Sequence, residues 1–146
     1  MLHTAAEVLT LSKKLENESA KFYQDLSRRY AKDEDVFLSF VKENGKNIVQ
    51  VERTYYGVIT DAIESCFAFN INPDEYTFKT ELAEGASYPD ALDKALEMEE
   101  KIVKFYSDAA EQSKALMADV PRTFTMVAKK RSNRGPKLRS LLHRGD

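Results

Sequence analysis

The chain has 146 residues, the size of one globular domain, with 42% hydrophobic and 32% charged side chains and only 5 Gly and 4 Pro. That balance excludes a disordered chain, a collagen-like repeat and a turn-dense all-β sandwich, and it favours helices. The net charge of −2 conceals an asymmetry: residues 1–128 carry 15 basic and 23 acidic side chains, residues 129–146 carry 7 basic and one acidic.

Thr4-Ala5-Ala6-Glu7 has the form of a capping box, a hydroxyl for the orphan amides with a Glu three residues on. Val8, Ser12, Leu15, Ser19, Phe22, Leu26 and Tyr30 follow at the three-and-four spacing of one helical face, so a first helix is predicted over about 5–30. Asp33-Glu34-Asp35 suits the positive start of a second helix. Phe37, Phe40, Val41, Ile48, Val51, Tyr55, Val58, Ile59 and Ala62 carry its stripe, and it is predicted over about 35–68. Asn70-Ile71-Asn72-Pro73 ends the periodicity, which returns only at Ser87. The intervening stretch, about 69–87, is too long for a tight turn and reads as a crossover. Ser87-Tyr88-Pro89-Asp90 then caps a third helix, about 88–114, with Ala91, Ala95, Met98, Ile102, Phe105, Tyr106 and Ala109 inward. A fourth, about 120–142, carries Phe124, Val127 and Ala128. Its Gly135-Pro136 should kink or stop it near 135, since proline lacks a donor and clashes one turn back.

The first and third helices repeat each other at an offset of 83: Thr4 falls on Ser87, Glu16 on Glu99, and Phe22-Tyr23 on Phe105-Tyr106. The second and fourth match at an offset of 87, Phe37 on Phe124 and Val41 on Ala128. Two helix pairs joined by a long crossover make an all-α, antiparallel four-helix bundle, a single domain over 1–146.

Six polar residues face inward in this scheme. At ~100° per residue, Glu16 and Glu99 lie at the edge of the apolar faces of the first and third helices. Asn44 is central and Asn47 flanking on the second; Arg131 is central and Arg134 flanking on the fourth. Glu43 and Lys46 are expected to point away from the core. Taken singly, each has an ordinary explanation: an inward Glu usually reaches solvent, an Asn bonds locally, and arginines in a basic run are usually solvated. Their repeat-related placement argues for one layer.

Glu16-x-x-Ser19-x-x-Phe22-Tyr23 and Glu99-x-x-Ile102-x-x-Phe105-Tyr106 resemble the Glu-x-x-Ala-x-x-Phe-Tyr pattern of rubrerythrin-like proteins of the ferritin superfamily. The resemblance covers nearly the whole chain, crossover included, and implies a ferritin-like bundle. In that family the first and third helices each give one Glu to a di-iron centre, and the second and fourth each give Glu-x-x-His. Here those positions read Asn44-x-x-Asn47 and Arg131-x-x-Arg134, while the two histidines, His3 and His143, sit near the termini. Two carboxylates facing two guanidiniums form a neutral layer without iron. Arginine stays charged, cannot ligate a metal and matches carboxylates with its planar fork. The expectation is therefore a salt-bridge layer of Glu16, Glu99, Arg131 and Arg134, with Asn44 and Asn47, at a vestigial di-iron site. No catalytic residue, metal or cofactor is expected; were iron bound, Glu16 and Glu99 would be its ligands. Tyr23 and Tyr106 read as core aromatics whose hydroxyls reach a carboxylate or water, rather than as redox tyrosines.

The functional expectation is a non-catalytic binding, regulatory or structural protein. The alternatives are a rubrerythrin-like non-haem di-iron oxidoreductase acting on peroxide or oxygen, and a nucleic-acid-associated protein using its basic C-terminus. Against the last stand Leu138, Leu141 and Leu142, which interrupt Lys129–Arg144 as packing residues. Gly45-Lys46 lacks the other glycines of a phosphate loop, and Arg144-Gly145-Asp146 reads as a chance tripeptide. An outer row on the second helix, Val49, Tyr56, Ile63 and Phe67, calls for cover. Either Ile71, Tyr76, Phe78 and Leu82 of the crossover supply it, or a homodimer forms through this helix and the crossover. Cys66 is the only cysteine, which leaves no disulfide and no Cys-x-x-Cys metal unit, and reads as a buried inert thiol in a reducing compartment. No run approaches the ~20 apolar residues of a membrane span, and the N-terminus lacks the pattern of a signal peptide. A cytoplasmic protein with no membrane partner is expected.

Overall fold

A computed structural model describes residues 1–58, 68–116 and 118–144 of the chain. Among them, regular structure is helical apart from one isolated antiparallel bridge between Leu2 and Ile71. The helices are α1 (Ala5–Arg29), α2 (Glu34–Val58), α3 (Tyr88–Gln112), α4 (Asp119–Ser132) and α5 (Arg134–His143), with short 3₁₀ turns at Ala31–Asp33 and Pro73–Tyr76. No helix among the described residues is long and apolar enough to cross a membrane.

Both helix starts read from the sequence are capping boxes. Thr4 accepts from the Glu7 amide and Glu7 from the Thr4 amide; Ser87 and Asp90 do the same for α3, with Pro89 in its first turn. The fourth predicted helix is two helices. Pro136 cannot bond the carbonyl four residues back and would clash with it. α4 therefore ends at Ser132, and α5 restarts at Arg134 with Pro136 in its first turn, where its missing donor is no loss. The predicted end of the second helix, with Ile59, Ala62, Ile63, Cys66 and Phe67, lies outside the described residues.

α1 packs along α2 and α3 along α4 and α5, while α2 meets α4 and α1 meets α3, so four helical rods enclose one core. Val8, Leu15, Phe22, Leu26, Phe37, Met98, Ile102, Phe105 and Val127 are among its buried members. Tyr30, Val41, Ile48 and Tyr55, expected inward, are only partly buried.

Among the described residues, the outer row of α2 at Val49 and Tyr56 is left exposed, and the crossover has contacts on α3. Tyr76 stacks edge-on against Phe105, donates to Asp108 at 2.6 Å and lies under the Lys104 ammonium, all on α3. Ile71 pairs with Leu2. The segment is thus held on the α3 side by an aromatic contact and a charge-assisted bond, and Val49 and Tyr56 stay exposed.

A second polar clasp fixes the C-terminal end. The buried Asp33 carboxylate accepts from the Tyr88 hydroxyl and from Arg144, each at 2.5 Å. Tyr88 stacks on Tyr30 with ring centroids 4.3 Å apart. Burial works against the Asp33 charge, but the Tyr88 and Arg144 bonds outweigh it and hold the carboxyl below its ordinary 3.8. A depressed folded-state value means stability present above pH 3.8 and lost as pH falls through the folded value. Asp33→Asn should cost about 1–2 kcal/mol at neutral pH and flatten the loss of stability on acidification. Urea titrations across a pH series check both outcomes.

Candidate functional site

At mid-height in the bundle, α1, α2, α3, α4 and the first residue of α5 converge on a polar layer. Glu16, Asn44, Asn47, Glu99, Arg131 and Arg134 are all buried. They reach it because each helix places one or two residues of its inward face at that level, and their side chains are long enough to meet on the axis.

Arg131 is the centre. Its Nε and Nη2 donate side-on to the two oxygens of Glu99 at 3.0 and 2.9 Å. Nη1 donates to Glu16 Oε2 at 2.7 Å and to Asn44 Oδ1 at 2.9 Å, and the second Nη2 hydrogen goes to Ser19 Oγ at 2.9 Å. A guanidinium has five N–H groups, and here each has an acceptor. Burial works against this charge, yet Glu16 and Glu99 outweigh it and hold Arg131 protonated more firmly than a free arginine.

Arg134 occupies the flank. It donates to Glu43 Oε1 through Nε and Nη2 at 3.0 and 2.8 Å, to Asn44 Oδ1 at 2.7 Å, to the Phe40 carbonyl at 3.2 Å and to Glu99 Oε2 at 3.3 Å. Its guanidinium lies 4.9 Å from the Phe40 ring centre and 5.6 Å from that of Tyr23, within cation–π range.

The acids are completed by tyrosines. Tyr23 donates to Glu99 Oε2 at 2.6 Å and Tyr106 to Glu16 Oε1 at 2.9 Å. The Tyr106 proton being used on Glu16, the 2.8 Å contact with Ser12 has Ser12 donating to the phenol oxygen. Burial and the adjacent carboxylates raise both phenols far above their ordinary value. They are neutral donors at any physiological pH. Burial also pushes the Glu16 carboxyl up, against the pull of Arg131 and Arg134. Asn47 donates to Glu16 Oε1 at 3.2 Å and leaves its own Oδ1 as a buried acceptor without a hydrogen-bond partner among the described residues.

Two expectations are corrected. Glu43 does not point away: its side chain turns in along the α2 surface to meet Arg134, 34% exposed. The layer therefore has three carboxylates against two guanidiniums rather than two against two. Ser12 and Ser19, read only as small inward residues, are hydrogen-bonding members of the network. Their position on the inward face was visible in the sequence; their partners, 94 and 112 residues away, were not.

Whether iron could sit in the layer depends on its donor set. Arg131 bridges Glu16 and Glu99 from the position a shared cation would need, and a charged guanidinium both repels metal and cannot ligate it. No imidazole reaches the layer: the His3 ring is within 3.1 Å of the Phe69 carbonyl, and His143 is exposed at the end of α5. Among the described residues, no group of three or more His, Cys, Asp or Glu side chains is placed to hold a metal ion. These residues do not fit a di-iron centre. Outside the layer, a surface groove of about 370 Å³ between α3 and α4–α5 passes Leu96, Val103, Gly135 and Arg139, with Glu99 and Arg131 on its inner side.

The basic C-terminal run is partly accounted for by this packing. Arg131 and Arg134 are inside the layer, Arg144 is on Asp33, and Leu138 is fully buried among the helices.

Arg131→Leu should destabilise the protein by about 3–5 kcal/mol, because it strands two buried carboxylates. Lys129→Leu, on an exposed position of the same helix, should change stability by no more than about 0.5 kcal/mol. Chemical denaturation of the two variants measures the contrast, and equal losses would remove the energetic case for the layer.

Comparison with known protein families, with curated proteins and with solved structures finds no match to this chain.

Proposed function

We propose that this chain is a ferritin-like bundle of the rubrerythrin-like kind in which a salt-bridged layer has replaced the di-iron centre, and that it serves a non-catalytic binding, regulatory or structural role. The observation that carries the proposal is Arg131, whose five N–H groups all find acceptors between the two repeat-related acids, Glu16 and Glu99, and their neighbours. The doubled Glu-x-x-x-x-x-Phe-Tyr pattern supports the ancestry, since it sets one acid and one carboxylate-bonded tyrosine on each of α1 and α3.

The oxidoreductase alternative needs a cation between those acids. Arg131 would have to leave those acids, and its buried charge would lose the acceptors that make its burial tolerable. An internal salt-bridge layer holds a fold in one register, which is of use to a protein that presents a surface.

Iron loading separates the two. Protein expressed in iron-supplemented medium should contain no stoichiometric iron by elemental analysis. About two irons per chain, the complement of a ferritin-like carboxylate centre, would overturn the proposal. The quadruple variant Asn44→Glu, Asn47→His, Arg131→Glu, Arg134→His should gain iron binding if the ancestral geometry persists.

A further inference from the structure

Between the second half of α2 and the start of α4 lies a groove of about 460 Å³, separate from the charge layer. Gln50, Arg53 and Gly57 form its α2 wall at steps of three and four, and Asp119, Arg122 and Met126 face them from α4 at the same spacing. Thr54 and Thr123 make the floor, with their Oγ1 atoms 2.7 Å apart and Thr123 only 6% exposed. Two hydroxyls carry two protons, and this bond uses one. The second has no acceptor among the described residues, since neither threonine bonds the carbonyl one turn back in its helix. The walls add further open donors. Arg53 is exposed and makes no ion pair among the described residues, and the Gln50 amide has no hydrogen-bond partner there. Arg122 uses only Nη1, at 3.3 Å, on Asp119, the one acid lining the groove. Both side chains of that pair are largely exposed, at 75% and 62%, so it contributes little and gives way easily. Lys46 and Lys130, the next members of the two rows, are in no ion pair among the described residues and add to the local positive potential.

We infer that this groove binds the phosphoryl group of a small phosphorylated molecule. A guanidinium fork matches either a carboxylate or a phosphate. A planar carboxylate is answered by one fork lying in its own plane. Here the two forks stand on opposite walls with a hydroxyl proton between them, and a tetrahedral group with three terminal oxygens accepts from all of these directions at once. The groove is larger than one phosphate and falls within the size range of small-molecule sites, with the Met126 side chain as an apolar wall for the rest of the ligand. None of these residues belongs to the charge layer, so this assignment stands or falls independently of how that layer is read.

Calorimetry and amide-shift NMR with pyrophosphate as the probe test the site. Pyrophosphate should bind with a Kd on the order of 1 mM or tighter, moving the signals of Arg53, Gly57, Arg122 and Thr123. Arg53→Gln and Arg122→Gln should each weaken binding by about tenfold, with helical content and melting temperature unchanged, since each removes a charge-assisted fork from an exposed position. Arg53→Lys keeps the charge but loses the fork, and should stay weaker than wild type. Lys21→Gln, which removes an exposed cation from α1, should bind as wild type does. Absence of pyrophosphate binding, succinate binding as tightly as pyrophosphate, or equal losses from Lys21→Gln and Arg53→Gln would each overturn the assignment.

Discussion

A guanidinium cannot be taken out of water unless its five donors and its charge are answered, and Arg131 is fully buried. Four helices are needed to meet that demand: α1 supplies Glu16 and Ser19, α2 Asn44, α3 Glu99, and α4 the arginine itself. None of these pairs is local in the chain, and the Arg131–Glu16 contact spans 115 residues. The layer therefore forms only when the whole bundle is assembled, and any slip of one helix along another breaks several charge-assisted bonds together.

The layer grades from inside to edge. Arg131 has only fully enclosed partners, while Arg134 reaches outward to Glu43 and rests on the rings of Phe40 and Tyr23. The break between α4 and α5 lies between the two arginines. Pro136 interrupts the hydrogen-bond ladder but leaves Arg134 still pointing inward, in the first turn of the next helix. The same break lets α5 bury Leu138 and deliver Arg144 to Asp33, so one sequence feature serves both the inner network and the clasp at the bundle's end.

Much of this could be read from the chain. The capping residues Thr4 and Ser87, the stop at Gly135-Pro136 and the apolar stripes of α1 and α3 are local signals, each decided within one or two turns. The repeat added the inward placement of Glu16 and Glu99, and the matching positions of Asn44 with Arg131 and Asn47 with Arg134. Glu43 escaped because helical phase gives the direction of its Cβ, not the path of a flexible side chain drawn sideways by a cation on another helix. The sequence left the cover of the outer row of α2 open between the crossover and a second copy, because the crossover's seat rests on contacts distant in the chain, such as Tyr76 with Asp108, 32 residues away.

By itself the sequence determined an all-helical chain, the starts of α1 and α3, the proline break, and which polar residues turn inward, because these depend on backbone donors, periodicity and proline sterics within a few residues. Only the tertiary structure decided that one arginine joins two acids from different helices, that a third acid enters at the edge, and that Val49 and Tyr56 of α2 stay exposed. Those outcomes depend on which helices become neighbours, and burial makes the pairing of charges compulsory only once they have.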